Sequence, residues 1–449
     1  MLKRRKFWIW FLISAMIYFG MLLCSGAEIY GDSHQYIDMH IHREPFYPLF
    51  LLIFRLINAE HALLLASVVQ NLFATFVTAY FVFYISETFK LKMIGDIIIY
   101  VITIAPIIVS PFFSSMSIML ISGVLSESLA IPLFLIFVVE CHKMLNGKKK
   151  SIYYALGLAV LLSLIRNQFM VTILMWMFLL LGDFISKKMW KKTVIIILAV
   201  IVAFGAKGIL VKSYNYVFND NYINTTYGNV FILANILYCS DREDAVLFED
   251  ETIKYLYNAM FDVIDENEYN YSYMNGNIFD RADYMEDTHN PIKFDAIEGV
   301  LREYSRSIGI DSYFKQDIYA DEVASEMMGP LLKDNFGIWV VNYLVLAFYG
   351  MVRSIAVDNL VLNIYTILML ALGIYHMIKG FKNKETRINS WFMAIALLSL
   401  FGLSTGTALV TMCISRYVIY SFVPFYVASF LLVLELIRGK KLAKWLMEN

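Results

Sequence analysis

The chain has 449 residues, of which 59% are apolar and 16% aromatic, and its mean hydropathy is +0.61. That is too apolar for a soluble enzyme, so the expectation is an all-α, polytopic transmembrane protein. Formal charge is nearly balanced, 37 basic residues against 38 acidic, and no nucleic acid is expected among its partners.

The balance hides a sorting. Residues 213–335 carry 24 acidic and 8 basic side chains, a net of −16, while the remainder carries 29 basic and 14 acidic, a net of +15. Short connectors rich in Lys and Arg stay on the cytoplasmic side, which sets an orientation for each apolar run long enough to cross. The first run, 7–24, follows a basic start and exits the cell. It reads as an uncleaved span with a cytoplasmic amino terminus, because Ser25-Gly26-Ala27 is a poor cleavage site and Leu23 before Cys24 spoils a lipoprotein signal.

Runs at 62–86, 93–109, 127–144, 152–165, 168–185 and 193–211 then alternate in and out. Their turns fall at Lys90 and Lys92, at Lys148 to Lys150, and at Lys187, Lys188, Lys191 and Lys192. Seven spans deliver the acidic segment to the outside. Phe46 to Asn58 is apolar but covers only about 20 Å as a helix, against a core of about 30 Å, and is expected along the outer surface. The run 336–352 resembles an eighth span, yet crossing there would put Lys379, Lys382, Lys384 and Arg387 outside. It is therefore expected to be interfacial or re-entrant, with Asn342 and Tyr343 in wet positions.

Three carboxyl-terminal spans, among them 360–378 and 417–437, bring the count to about ten, with both termini in the cytoplasm. Three regions follow: a module over 1–211 with its first outer loop at 25–61, an acidic extracytoplasmic insert over 212–335, and a carboxyl-terminal part over 336–449. Apolar stretches at 246–248, 253–260 and 294–301 predict small helices in the insert rather than disorder. The four cysteines are scattered and predict free thiols, with a bridge among Cys24, Cys239 and Cys413 as the alternative.

Ionisable groups concentrate in the first loop, where the chain re-enters an apolar phase: Asp32, His34, His40, His42, Arg43 and Glu44, followed by Pro45-Phe46-Tyr47-Pro48. Charge there is costly unless paired or used. Asp32 is a candidate general base for a hydroxyl acceptor, set against the plainer reading of an N-cap for a helix that begins at Ser33.

Four further charges are expected at the same depth. Arg166 ends a run of 14 residues, about 21 Å of helix, and so lies below the surface. Glu127 opens the fourth span, Lys207 lies one turn before the end of the seventh, and Arg416 opens the last. Charges from four spans at one depth suggest a pocket, and Arg and Lys suit a phosphorylated lipid. The structural alternative is an Arg166–Glu127 pair that merely joins spans; Arg416 and Lys207 have no acidic partner nearby in sequence.

Asp96 and Asn71 read as packing residues, and Asp287 with His289 as a solvated pair. His40 and His42, two apart with no carboxylate fixed beside them, do not have metal-site spacing, and no metal ligands are assigned. No cofactor is required, although a divalent cation between Asp32 and Glu44 is left open.

In GDSHQYIDM followed by REPFYPLFL, the first loop resembles that of the GT-C superfamily of membrane glycosyltransferases, which includes protein mannosyltransferases and aminoarabinose transferase. Asp32, Tyr36 and Pro45-Phe46-Tyr47-Pro48 take the places of that family's acidic residue, Tyr and Pro-rich entry. LSESLAIPLF around Glu127, LLSLIRNQF around Arg166 and SRYVIYSFVPF around Arg416 follow in order. The chain departs from the pattern with Ser33 in place of a second acid and Asn167 in place of a Pro.

The resemblance implies a cell-envelope enzyme that moves a sugar from a polyprenyl-phosphate carrier to a hydroxyl on a glycan, lipid or protein, with inversion at the anomeric carbon. Asp32 would be catalytic. Arg166, Arg416 and Lys207 would hold the donor phosphate, and Glu44, Arg43, Tyr36, His34 and Glu127 would support them. The alternatives are a polysaccharide polymerase or ligase, expected to carry more Arg in the large loop, and a lipid-linked glycan transporter or flippase, expected to show related halves with charges at the midplane.

Overall fold

The computed structural model describes residues 2–112, 118–186, 190–356, 359–381, 386–437 and 445–447. Lys187, Lys188, Lys382, Lys384 and the basic stretch 438–444, on which the expected orientation partly depends, lie outside the described residues. Among the described residues every regular element is helical, as the apolar runs predict.

The first half contains α1 (Leu2–Ser25), α2 (Ser33–Ile37), α3 (Phe46–Ile57), α4 (Ala62–Phe89), α5 (Met93–Val109), α6 (Glu127–Leu145), α7 (Lys150–Ser163), α8 (Met170–Ser186) and α9 (Trp190–Asn219). The insert holds α10 (Gly228–Tyr238), α11 (Glu251–Glu266), α12 (Ile278–Pro291), α13 (Val300–Ser307) and α14 (Tyr313–Asp334), and α12 runs into a π-helical stretch, Ile292–Gly299. Then come α15 (Phe336–Tyr349), α16 (Leu360–Gly380), α17 (Arg387–Val410), α18 (Ser415–Val418) and α19 (Phe422–Leu436). Left-handed residues stop three of the long helices: Gly26 after α1, Lys90 after α4 and Gly147 after α6.

Among the described residues ten helical stretches are long and apolar enough to cross a membrane, which makes this an all-α, multi-pass membrane architecture. By length and composition the set differs from the expected one at two places. Phe336–Ser354 qualifies by length and composition, whereas Lys150–Ser163 is one of the shorter apolar helices, with Phe46–Ile57 and Gly228–Tyr238. Asn342 is buried and donates from Nδ2 to Met285 Sδ at 2.6 Å, so it is not a wet position.

α6 is the most enclosed of the ten, packed by α4, α7 and α17. In contrast α9 and α16 turn Ile195, Leu198, Ile201 and Val202, and Leu360, Val361, Ile364 and Leu368, outward. Apolar surface on that scale suits lipid rather than water.

A second core lies in the insert. On α11 the residues Ile253, Leu256, Tyr257, Met260, Phe261 and Ile264 recur at three- and four-residue steps, so a single face is apolar and buried. Asp250 caps that helix by accepting from the Thr252 and Ile253 amides. Val345, Leu346 and Tyr349 of α15 join the same core, which roots the insert on the bundle. The four cysteines are free; Cys24 is exposed and the other three are buried.

Candidate functional site

The site is built where the first loop meets the starts of α6 and α18 and the end of α7. Asp32 occupies the N-cap position of α2, but its side chain makes no capping bond. It turns instead to two guanidinium groups, accepting from Arg43 Nη2 at 3.0 Å on Oδ1 and from Arg416 Nη2 at 2.8 Å on Oδ2. Of the two readings of Asp32 in the sequence, the geometry therefore excludes the simple cap.

Glu127, fully buried at the amino terminus of the most enclosed span, carries the next link. Its Oε1 lies 2.5 Å from Arg166 Nη1 and 2.7 Å from Arg416 Nε. A carboxylate at a helix amino terminus is favoured by the helix dipole, and two guanidiniums supply the compensation that burial demands. Arg166 lies in extended backbone between α7 and the turn that begins α8, where the short helix leaves it. Tyr36 and Ser126 complete the wall: their hydroxyls are 2.9 Å apart, Arg43 donates to Tyr36 Oη at 3.3 Å, and Ser126 donates to Glu127 Oε2 at 3.1 Å.

Burial alone would raise the Asp32 pKa, but Arg43 and Arg416 together outweigh it and hold the carboxyl below its usual range. As it stands Asp32 is an ion-pair partner and a poor proton acceptor. Three guanidiniums face two carboxylates in this network, leaving one positive charge in excess, which favours an anionic ligand.

Beside it is a separate pair. Lys207 of α9 donates to Glu44 Oε1 and to Asn167 Oδ1, each at 2.9 Å, and Thr225 donates to Glu44 Oε1 at 3.4 Å. Burial pushes the Glu44 carboxyl upward against the pull of Lys207. The structure thus joins Asp32, Arg43, Tyr36, Glu127, Arg166 and Arg416 in one network, sets Lys207 with Glu44 next to Arg166 through Asn167, and leaves His34 exposed on α2. Arg416 and Lys207, which lack acidic neighbours in sequence, both have acidic partners in space. Asp32 and Glu44 are each committed to cations, which counts against a divalent ion between them.

The insert contributes a residue that sequence reasoning missed. Lys293 is buried, with its Nζ 3.8 Å from the Phe231 ring centre, 3.7 Å from that of Phe294 and 5.2 Å from that of Tyr227. It makes no ion pair among the described residues. Burial lowers its pKa to about 7, with the charge of Arg43 adding to the effect and that of Asp32 opposing it. No local pattern marks Lys293, because only the fold brings it near the first loop. His289 is also corrected: it is fully buried with its ring on Phe231, not in a solvated pair with Asp287, and burial holds its pKa at about 4.

Compared with known proteins, the chain matches no family model, no curated protein and no solved structure.

Proposed function

We propose that the protein is a glycosyltransferase of a bacterial cytoplasmic membrane, with both termini inside, which moves a sugar from a polyprenyl-phosphate carrier to a hydroxyl acceptor at the outer face. The observation that carries this reading is the clasp on Asp32: a carboxylate held by Arg43 and Arg416 while Arg416 shares Glu127 with Arg166. An incoming phosphate is the better partner for guanidinium, and it has an uncompensated positive charge to bind.

As the donor phosphate draws Arg416 and Arg43 away, Asp32 loses the charges that depress its pKa and becomes able to accept a proton. The acceptor oxygen attacks the anomeric carbon from the face opposite the carrier, and its proton passes to Asp32. The bond from that carbon to the phosphate oxygen breaks, and the electron pair leaves with the carrier phosphate, whose charge Arg166 and Arg416 stabilise. Lys207 takes a positioning part, fixing Glu44 and Asn167 beside Arg166. The resemblance of the first loop to the GT-C superfamily supports the same reading independently of the charge count.

The test is transfer from labelled polyprenyl-phosphate sugars in membranes containing wild type or Asp32→Asn. Asp32→Asn should retain donor binding and lose turnover by about 10²- to 10⁴-fold, the range of a positioned general base. Full activity at native-like expression would remove Asp32 from the chemistry.

A further inference from the structure

Away from the clasp, His40, His42 and Asp317 converge between the first loop and the insert. His40 and His42 follow the left-handed Met39, whose carbonyl accepts from Asn219 Nδ2 at 3.3 Å. Their rings pack with centroids 3.8 Å apart. Asp317 of α14, fully buried, brings Oδ2 to 3.7 Å from His42 Nδ1 and gives its other oxygen to Arg302 Nη2 at 2.6 Å. Asp317 supplies a carboxylate from the insert, far from the two histidines in the chain.

His40 Nδ1, His42 Nδ1 and Asp317 Oδ2 are all buried and all without a hydrogen-bond partner. Orphaned polar atoms are costly one at a time, and three on clustered residues call for a shared partner. One donor atom from each residue lies within 4.8 Å of the others. Around a tetrahedral ion with bonds of about 2.0 to 2.1 Å the donors stand about 3.4 Å apart, a closure within reach of side-chain torsions.

We propose that His40, His42 and Asp317 form a divalent transition-metal site, best suited to zinc, that fastens the first loop to the insert. Two imidazole nitrogens and one carboxylate oxygen form a borderline donor set for such ions, with a fourth position left for water. Neutral imidazole is the form that ligates, through either ring nitrogen. Arg302 orients the carboxylate from behind. Its charge, with those of Arg43 and Lys293, opposes the ion, so moderate affinity is expected. Because Arg43 follows His42 directly, loading the site would steady one arm of the Asp32 clasp.

The experiment uses full-length protein purified without a polyhistidine tag, stripped with chelator and reloaded with zinc chloride. Wild type should retain about one zinc per chain through gel filtration, and Asp317→Asn and His42→Ala should each bind about 10-fold or more weakly. Zinc K-edge absorption on wild type, which needs no variant, should show a first shell with two imidazoles. Retention unaffected by both variants, no retention at all, or a shell without two imidazoles would each overturn the site and indicate water as the shared partner.

Discussion

Asp32 and Arg416 are separated by 384 residues in the chain and by 2.8 Å between Oδ2 and Nη2. The contact closes only when the carboxyl-terminal helices have packed on the bundle, α19 against α5 and α17 and the turn before it against α6. Arg416 then bridges two carboxylates, one at the mouth and one fully buried. A side chain so placed can pass a change at the exposed end of the network to its interior.

Arg416→Ala should weaken donor binding more than any conservative change at the position. A hydrogen bond to a charged group contributes about 1.5 to 3 kcal/mol, so the loss corresponds to roughly 10- to 150-fold in donor affinity. Arg416→Lys keeps the charge and loses the planar fork that reaches Glu127 through Nε and Asp32 through Nη2, and it should fall between the two. Equilibrium binding of a labelled polyprenyl-phosphate sugar to purified protein measures this. Equal affinity in all three proteins would remove Arg416 from the donor site.

The Lys207–Glu44 pair should behave as a buried structural pair. Lys207→Met leaves Glu44 without its cation and should cost about 3 to 5 kcal/mol, whereas Lys207→Met combined with Glu44→Gln should recover most of that loss. Unfolding of the single and double variants in detergent gives the coupling. If the double variant is as unstable as the single, Lys207 acts through some other contact.

Much of this fold is legible in the sequence because a membrane span is declared locally. An apolar run needs no knowledge of its neighbours to be recognised, and a 14-residue run such as the one before Arg166 already implies that its end is submerged. Asp32, Glu127, Arg166 and Arg416 stand out for a similar reason, since charge at the edge of an apolar run is anomalous wherever the helix later packs. What the sequence does not reveal is partnership. Glu127 with Arg416, Lys207 with Glu44 and Asp317 with His42 depend on helix rotation and on how the insert is rooted. His289 sits in a polar stretch that looks solvated, yet the face of α12 that carries Ala282 and Met285 also turns it inward. Length favours the helix over 336–354 as a span above the one over 150–163, whereas connector charge favours the reverse.

Lys293 makes a pH dependence that can be worked out in sign. Its ordinary pKa of 10.5 is lowered to about 7 in the folded protein, chiefly by burial, with Arg43 adding to the shift and Asp32 opposing it. Between pH 7 and 10.5 the unfolded chain holds a proton that the folded chain has shed, so stability should rise as pH rises through that window. Below pH 7 both states are protonated and the folded state bears the full cost of a buried ammonium, which the faces of Phe231 and Phe294 offset only in part. Lys293→Met preserves the stem and removes the charge. The variant should therefore be more stable than wild type at pH 6.5, by about 2 to 4 kcal/mol, with the difference shrinking toward pH 9.5. Thermal unfolding of both proteins across that range decides it: parallel curves would mean that Lys293 keeps its proton throughout and finds its compensation in the aromatic cage.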